Sequence, residues 1–447
     1  MEPYMKTQFL RLVTLAAVCS PFLTAQPVDD TRLKQVIIFG RHGVRTPVVP
    51  YSTLNQLSAL PYPAFNVAGV ANPGPSVLTT NGRANETILG SYFRLWLTQE
   101  GLLTGNDSAD AAFVYLRATG TPLISDTAKA FAAGMLPGAT LQVNSYTAPA
   151  ADPLFDPVDA GVAKINEQMA VAAVNGRLGG NAPSLASVYA AELALTRSVL
   201  LNYPAGLSPA PAAPAHVVDV TALPIEFTAG TPATPVNVGG LADVVYAIDP
   251  FVMEYADGLP PAEIGWGQLT VDGIGQTFRL YNLVLDLEYK TPYMARVLSS
   301  NMASHVARTL VQAATGNTMT GTLGGPASKV IVVTASNTNM AGLAGLLHLD
   351  WLLPGYQNDV LAPGGAITFE LRQSQTTGEY VVRTSYVAQT MDQLRNLTPL
   401  TLSAPPASAP VLVPGCPIRN AAFDCPIGVF VTVVDRALDP HSVDLIN

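Results

Sequence analysis

A short apolar run that ends in a charged loop constrains this chain more than any other feature. The run Val36-Ile37-Ile38-Phe39 is followed by Gly40 and then by the segment Arg41-His42-Gly43-Val44-Arg45-Thr46-Pro47. Four consecutive apolar residues before a glycine predict a buried strand. Such a strand would place a histidine between two arginines at its carboxyl end.

The residue types in this loop point to a site for an oxyanion. Arginine presents a rigid fork of donors that matches phosphate oxygens, and histidine is a usable nucleophile near neutral pH. Arg41, His42 and Arg45 therefore predict a phosphate cradle with an attacking group inside it. The competing interpretation is a surface turn with two solvated arginines and a core histidine, and the strand in front of the loop favours the cradle.

The composition favours a folded protein that does not bind nucleic acid. Of 447 residues, 49% are hydrophobic and 12% are charged, and the formal net charge is −9 with 23 lysines and arginines. Such a chain has ample material for a core and is not disordered. Because no basic stripe is present, we expect no nucleic-acid partner. The length allows two or three domains, or one large domain with an inserted cap.

The first 25 residues have the pattern of a secretory signal peptide. Lys6 and Arg11 supply the positive region, apolar residues begin at Leu12, and Ala25 is the expected residue before the cleavage site. The apolar stretch is too short to span a bilayer, and no other segment has a transmembrane pattern, so no stable membrane span is expected. Cys19 leaves a lipoprotein open as an alternative. We therefore expect a secreted or periplasmic protein.

The cysteine count is consistent with export. Cleavage of the signal would remove Cys19 and leave Cys416 and Cys425. Two cysteines so close together predict one short-loop disulfide in an oxidising compartment. A zinc site is the weaker interpretation, because no histidine lies nearby to complete a ligand set.

The order of the predicted elements indicates an α/β fold. After the first strand comes a long amphipathic segment through Trp96, and then a short strand at Phe113–Arg117. The next helix would begin at Ser125 or Asp126, which offer N-cap chemistry.

The middle of the chain has a different composition. Residues 148 to 239 are rich in Ala, Pro and Gly and predict a loop-rich inserted region. Helical periodicity returns from Leu241 to Val311. Lys329–Ala335 predicts another buried strand, and Ser336 and the residues after it open an apolar helix.

The loop Arg41–Pro47 has the pattern Arg-His-Gly-x-Arg-x-Pro, and through it the chain resembles the histidine acid phosphatases, the family that includes the phytases. The segment Leu78-Thr79-x-x-Gly82 is similar to the family's helix entry, which implies a helix that begins there. Segments similar to the bacterial branch of that family lie along most of the chain: Ala130–Gly134, Gly258–Pro260 with Gly265–Gly267, Thr291–Arg296, and Cys416 and Cys425 followed by Pro426–Phe430. The resemblance implies a three-layer α/β domain with a central mixed sheet, formed by residues 26–147 and 325–447. It also implies a smaller, mostly helical cap domain inserted at 148–324, with the active site in the cleft between the two.

The resemblance assigns roles to the residues of the loop. His42 would be the nucleophile and form a phosphohistidine, and Arg41 and Arg45 would hold the phosphoryl group. No metal or organic cofactor is implied, because side chains provide both the nucleophile and the cations. The implied partner is a small phosphorylated substrate: an aryl, sugar or inositol phosphate.

Two other positions depart from the pattern of the family. Alignment on Ala130–Gly134 puts Leu123 where the family has a third phosphate-binding arginine, and Arg117, on the preceding strand, is not expected to substitute. Ser336 and Asn337 replace a His-Asp pair whose aspartate donates a proton to the leaving group. Both replacements are good N-cap residues for the helix that follows, and capping is the main role expected for them.

The loss of the aspartate leaves the source of the proton open. An amide cannot protonate a leaving alkoxide, so the general acid is either impaired or relocated. Asp249 is a candidate for a relocated acid, because it aligns with a substrate-pocket carboxylate of the bacterial phytases. His348 lies in an apolar helix and is expected to be a core residue, and the remaining histidines, His216, His305 and His441, have no motif around them.

These observations lead to a secreted phosphomonoesterase of the histidine acid phosphatase type, with an impaired or relocated general acid. The alternative is a catalytically degenerate protein that binds phosphate esters without turnover. A third hypothesis is a purely structural secreted protein. The intact loop favours the first hypothesis, whereas Leu123 and Asn337 favour the second.

Overall fold

The structure is a computed structural model that describes residues 29–147, 150–202, 217–232 and 234–445. The expected signal peptide at 1–25, Cys19 and His216 therefore lie outside the described residues. Among the described helices, none combines the length and the apolar character that crossing a membrane requires.

The described elements alternate between strands and helices at both ends of the chain, with a helical stretch between them. The strands are β1 Thr31–Arg41, β2 Val114–Ala118, β3 Val143–Asn144, β4 Thr228–Ala229, β5 Val236–Asn237, β6 Val330–Ala335, β7 Ala366–Ser374, β8 Tyr380–Ala388, β9 Ala407–Pro410 and β10 Cys425–Pro426. The α-helices are α1 Tyr51–Leu54, α2 Thr80–Gln99, α3 Asp107–Asp110, α4 Pro122–Met135, α5 Glu167–Arg177, α6 Ser184–Val188, α7 Ala190–Leu201, α8 Gly240–Ala256, α9 Val271–Glu288, α10 Pro292–Thr315, α11 Asn337–Leu347, α12 Met391–Arg395 and α13 Ile427–Ala437.

The main sheet is mixed, which confirms the predicted α/β class. Its strand order is β10-β8-β7-β1-β6-β2-β3, with β9 paired to β8. The pairs β1/β6, β6/β2 and β2/β3 are parallel, whereas β7 and β8 add antiparallel neighbours on the other side of β1. The strand predicted at Val36–Phe39 is thus a central strand, with β6 on one side and β7 on the other.

Helices cover both faces of the sheet. Val36 and Ile38 belong to the same buried cluster as Phe93 of α2 and Phe131 of α4, whereas Ile37 and its neighbour Phe39 belong to the core on the opposite face. Helices α10 and α11 contact β1 on that opposite face. Both faces of β1 are buried, and this is why the run is apolar at every position instead of at alternate positions.

The stretch between β3 and β6 contains helices α5 to α10 and the small β4/β5 pair. The segment 148–324 was expected to form one inserted cap. However, α10 packs along α11 and α13 and contacts β1, so this helix lies in the layer that covers the sheet. We therefore propose that the inserted unit ends near Glu288, before α10 begins at Pro292.

Local capping explains where several helices begin. The Thr79 side chain accepts a hydrogen bond from the Gly82 amide and caps α2, as the predicted helix entry requires. The predicted start of α4 at Ser125 or Asp126 is wrong, because α4 begins at Pro122 and Thr121 is its N-cap residue. A proline is well suited to the first helical position, because its φ angle is already helical and its missing N–H has no partner to lose.

His348 is not a core residue, which corrects the prediction from its apolar neighbours. It is the C-cap of α11 with φ of 51°, and its side chain is exposed. Because the helix has already ended at Leu347, the apolar periodicity no longer determines which way the next side chain points.

The predicted disulfide is present. Cys416 and Cys425 are bonded with a Cα–Cα distance of 5.3 Å. Cys425 belongs to β10, which pairs with β8 at the edge of the sheet. The bridge therefore ties the preceding loop to the edge of the sheet, next to the start of α13.

Helices α2 and α4 approach each other closely enough to require glycine. A Cβ atom placed on Gly134 would overlap the carbonyl oxygen of Thr87, and one placed on Gly90 would overlap the carbonyl oxygen of Phe131. These obstacles are backbone atoms of helices and cannot swing aside as a flexible side chain could. The layer that covers one face of the sheet therefore depends on these two glycines.

Replacing Gly134 by alanine should lower the free energy of unfolding by about 3 kcal/mol, at the upper end of the usual cost of overpacking. Urea unfolding followed by circular dichroism measures this change. Gly176→Ala is the matched control, because Gly176 lies in α5 with no atom near its added Cβ, so alanine should be neutral or stabilising by up to about 1 kcal/mol. An unchanged midpoint for Gly134→Ala would contradict the close approach of the two helices.

Candidate active site

The carboxyl ends of β1 and β6 meet side by side and bring two distant segments together. Arg41 is the register partner of Ala335, and the His42 amide donates a hydrogen bond to the Ala335 carbonyl at 3.1 Å. The loop after β1 and the residues that open α11 therefore share one edge of the sheet. The amino end of α11 also lies there, and its unpaired N–H groups favour negative charge.

His42 is held in one tautomer at this edge. Its ring is 4% exposed, and its Nδ1 lies 2.9 Å from the carbonyl oxygen of Gly43. A carbonyl only accepts, so Nδ1 carries the proton and Nε2 keeps its lone pair. Burial, together with the charges of Arg41 and Arg45, lowers the pKa of His42 well below 6.5. The ring is thus neutral, which is the nucleophilic form.

Arg41 carries donors that the fold does not use. The side chain is 1% exposed, and its Nη1 donates to the Leu361 carbonyl. The Nε and Nη2 groups are buried and have no hydrogen-bond partner among the described residues. A buried guanidinium with unpaired donors is costly, and its chemistry suits an oxyanion placed beside His42.

Arg45 is paired to a residue of the inserted helices. Its Nη1 and Nη2 donate to Oδ2 and Oδ1 of Asp249 at 2.8 and 3.1 Å, and both side chains are almost fully buried. Burial alone would lower the pKa of Arg45, but the carboxylate of Asp249 more than offsets that effect and the pKa is raised. Both oxygens of Asp249 accept hydrogen bonds from Arg45, so this carboxylate holds Arg45 in position.

A side chain would not fit at position 43, because a buried carboxyl group lies against the loop there. A Cβ on Gly43 would lie 2.8 Å from Oε1 of Glu86, and a Cβ on Gly364 would overlap the same oxygen. Glu86 lies on α2 and is 4% exposed, and burial raises its pKa to about 8. The loop is therefore seated on a carboxyl that is uncharged at neutral pH.

The sequence singled out seven positions, in the loop, in α8 or by departure from the family pattern, and six of them line one cavity of about 570 Å³. The cavity lies between the sheet edge and helices α4, α8, α9 and α11. The members of the set on its wall are His42, Arg45, Leu123, Asp249 and Asn337, and Ser336 lies beside Asn337 on the same wall. Arg41, the neighbour of His42 in the chain, is the exception, since it is not on the wall.

Leu123 faces this cavity from the first turn of α4. Arg117 does not replace the missing cation, because its Nη2 is bound to both oxygens of Asp152 at 2.7 and 2.6 Å. Its guanidinium also lies over the ring of Phe155. Arg117 is therefore a buried structural cation and does not line the cavity.

Of Ser336 and Asn337, which were both predicted to cap α11, Ser336 does so and Asn337 does not. Ser336 is the N-cap of α11, in a capping box with Asn339. Asn337 is the first helical residue and does not cap, since its Nδ2 donates to the hydroxyl of Tyr281 at 2.8 Å. The amide is therefore oriented by α9, at the position from which the family's proton donor would act.

Glu288 is a cavity residue that the sequence did not single out. It lies at the end of α9, seven residues after Tyr281, so two helical turns place both on the face that lines the cavity. Burial raises the pKa of Glu288 to about 8. The sequence does show that Glu288 and Tyr281 share one face of a helix. It does not show that this face lies near the loop after β1, so Glu288 could not be predicted as a cavity residue.

The other described histidines lie away from the cavity. His305 is fully buried in α10, with Nε2 at 3.7 Å from Oδ1 of Asp444, and His441 is exposed. Within the described part of the chain, no group of three or more His, Cys, Asp or Glu side chains is arranged to hold a metal ion.

Comparison with known proteins gives consistent relatives across the chain. A family model described as the histidine phosphatase superfamily (branch 2) matches residues 32–198. The chain is 29% identical to phytase AppA of Escherichia coli, over 97% of this chain and 98% of the relative. It is 25% identical to the glucose-1-phosphatase of Salmonella typhimurium, over 97% of this chain and 100% of the relative.

Solved structures agree with this relationship over the whole fold. The Hafnia alvei phytase in complex with tartrate has a TM-score of 0.81 and 28% identity, and the match covers 93% of this chain and 99% of that chain. The same phytase in complex with myo-inositol hexakis sulphate has a TM-score of 0.79 and 27% identity, with coverage of 93% and 99%. With the loop Arg41–Pro47 at the end of a central strand, the chain is similar to the histidine phosphatase superfamily (branch 2) in sequence over residues 32–198 and to the phytases in fold.

Proposed function

We propose that this protein is a phosphomonoesterase that works through a phosphohistidine on His42. The observation that carries the proposal is the Nδ1–H bond from His42 to the Gly43 carbonyl, which leaves Nε2 with its lone pair at the cavity. Nε2 attacks phosphorus, the P–O bond to the alcohol breaks, and the alkoxide takes up a proton. Water then attacks the phosphohistidine, releases inorganic phosphate and restores the ring. The relatedness to phytases and glucose-1-phosphatases supports this reaction class.

The two arginines have different tasks in this scheme. Arg41 supplies the two unpaired donors behind His42 and stabilises charge on the equatorial oxygens. Arg45 is held by Asp249 and contributes from the cavity wall. The amino end of α11 adds a positive dipole on the same side. Positioning and electrostatic stabilisation of this kind account for most of phosphoryl-transfer catalysis.

In this scheme, the proton donor for the leaving alkoxide is not assigned to a residue. Asn337 occupies the relevant place and carries an amide, while Asp249 is committed to Arg45. Loss of a general acid typically lowers the rate by about 10²–10⁴-fold. The proposal is therefore a phosphatase whose turnover depends on the quality of the leaving group.

A second candidate function is binding of phosphate esters without turnover. The observation that favours it is that two departures from the family pattern, Leu123 and Asn337, both lie on the cavity wall. Such a protein would retain the arginines and the cavity, and would bind phosphate esters but release no phosphate.

We also propose that the protein is exported, to the periplasm or the medium. The N-terminal pattern through Ala25 and the Cys416–Cys425 bridge support this location. The intact mass of the exported protein should correspond to a chain that starts near Gln26, and a mass that retains residues 1–25 would contradict the proposal.

His42→Ala should abolish hydrolysis of an aryl phosphate, because His42 is the one described histidine on the cavity wall and lies between the two arginines of the loop. Phosphate release from nitrophenyl phosphate measures this, together with trapping of an acid-labile phosphoenzyme in the wild type. His441→Ala is the matched control, because His441 is exposed and distant from the cavity, and it should be fully active. Equal activity of His42→Ala and the wild type would place the chemistry elsewhere, and a wild type that binds phosphate without turnover would support the second candidate.

The His42 ring should remain neutral as the pH falls through 6.5, because burial and two neighbouring cations disfavour its protonation. Nuclear magnetic resonance titration of the histidine ring nitrogens tests this. The chain has five histidines, so the spectrum is simple, and the signal that is missing in His42→Ala belongs to His42. The sign follows from the lowered pKa: the nucleophilic form is lost only well below pH 6.5, so the acid limb of kcat should lie there too. A midpoint at 6.5 would show that the ring is solvated.

Asn337→Asp should raise the hydrolysis rate of alkyl phosphates by about 10²-fold or more, the usual worth of a general acid. The Tyr281 hydroxyl can then donate to the new carboxyl. Aryl phosphates should gain much less, since their leaving groups need little protonation. Asn282→Asp, on α9 but outside the cavity, is the control of equal charge. If Asn337→Asp hydrolyses alkyl esters no faster than the wild type, the missing acid does not limit the rate, and the missing cation at Leu123 does.

A further inference from the structure

We propose that the cavity selects phosphate monoesters of alcohols with an apolar aromatic or alkyl group and disfavours polyphosphorylated ligands such as inositol hexakisphosphate. The inference rests on the proposed function for its chemistry and adds the class of substrate. It follows from the charge of the cavity wall and from the side chains that form the rest of that wall.

The cavity holds enough positive charge for one phosphoryl group and little more. Among the described residues on its wall, Arg45 is the one lysine or arginine, and its charge is paired with the carboxylate of Asp249 through two hydrogen bonds. Arg41 adds a second guanidinium from behind His42. The internal segments outside the description, 148–149, 203–216 and 233, contain no lysine or arginine.

A polyphosphorylated ligand needs a cation for each group that it buries. A phosphate monoester carries a charge of about −1.5 to −2 at pH 7, and burying such a group without a partner is costly. Glu288 on the wall works against a second phosphate, since it offers no positive charge and becomes anionic above its raised pKa of about 8. Beyond the first phosphoryl group, the cavity therefore offers a polyanion no compensation.

Much of the rest of the wall is apolar and aromatic, although Ser76, Thr121 and Thr338 add hydroxyl groups to it. Apolar and aromatic side chains on this wall come from the start of α4, from α8 and from the end of α9: Leu123, Ile124, Val245, Tyr246, Val284 and Tyr289. Leu123 has a double effect, because it removes a cation and adds apolar surface at the same position. A cavity of about 570 Å³ has the size of ordinary small-molecule sites. The hydrocarbon part of a phosphate ester would be buried against this wall.

Substrates with leaving groups of equal quality separate this inference from the effect of the missing acid. 2-Phenylethyl phosphate and glycerol phosphate are both esters of primary alcohols, so the need for protonation is similar. The phenyl ester should have a kcat/KM at least about tenfold higher, because burial of an aromatic ring is worth roughly 1.5–3 kcal/mol. Equal values, or a preference for glycerol phosphate, would overturn the inference.

Direct binding makes the test independent of turnover. Calorimetry on the wild type would compare 3-phenylpropylphosphonate, a non-hydrolysable isostere of the phenyl ester, with inositol hexakisphosphate. The phosphonate should bind at least about tenfold more tightly. If no ester is hydrolysed but this order holds, the proposed function fails and the inference stands. If inositol hexakisphosphate binds as tightly or is hydrolysed faster, the inference fails and the phosphatase proposal survives.

A charge reversal on the cavity wall tests whether the ligand binds in the cavity. Glu288→Lys should tighten binding of inositol hexakisphosphate by about tenfold. Asp272→Lys makes the same change of charge at the exposed start of α9, outside the cavity, and should change binding by less than about threefold. Equal gains in both variants would place the ligand outside the cavity and overturn the inference.

A variant of Tyr246 tests whether this aromatic side chain contacts the alcohol part of the ester. Tyr246→Ala should lower kcat/KM for 2-phenylethyl phosphate by about 3- to 10-fold, in line with the worth of an aromatic pair, and leave glycerol phosphate almost unchanged. Equal losses for both esters would mean that Tyr246 supports the fold and does not contact the alcohol. That result would count against an apolar alcohol site.

Discussion

The parallel pairing of β1 with β6 is the interaction on which the rest of the site depends. The two strands run in register to their carboxyl ends, where the His42 amide is bound to the Ala335 carbonyl. This contact joins the charged loop to the opening of α11, although almost 300 residues separate them. A slip in register would turn the side chains at the strand ends to the other face of the sheet. The nucleophile, the amino end of α11 and Asn337 would then no longer share one cavity.

The buried pair of Arg45 and Asp249 fastens the inserted helices to this edge. Asp249 lies on α8, and its two hydrogen bonds reach a loop 204 residues earlier in the chain. Removing one partner of such a pair typically costs about 3–5 kcal/mol, because the other charge stays buried without compensation. The pair also occupies donors that a phosphate would otherwise use. The same guanidinium thus both holds α8 and faces the cavity, whereas Arg41 has two buried donors, Nε and Nη2, without a partner among the described residues.

The departures from the family pattern all act on the same wall. Leu123 gives apolar surface where a cation is expected, and Asn337 gives an amide where an acid is expected, held by Tyr281. The nucleophile and its two neighbouring arginines are intact. The groups that the proposed attack requires are therefore present, while the wall around the alcohol of the proposed substrate carries less charge than the family pattern would give it. A weaker acid and an apolar wall both favour esters whose alcohol leaves easily and buries well.

Much of the fold and of the loop could be predicted from local sequence, because local patterns decide them. The apolar run at Val36–Phe39, the cap at Thr79 and the spacing of Arg41, His42 and Arg45 each depend on residues near in the chain. The start of α4 and the exposure of His348 were predicted wrongly, because a proline at the first turn and a helix that had already ended outweighed the patterns used. What only the tertiary structure decided are contacts between distant segments: Arg45 with Asp249, Asn337 with Tyr281, Glu288 on the cavity wall, and α10 in the layer over the sheet. Sequence spacing carries no record of such pairs, since burial and charge compensation act between residues that meet only after the chain has folded.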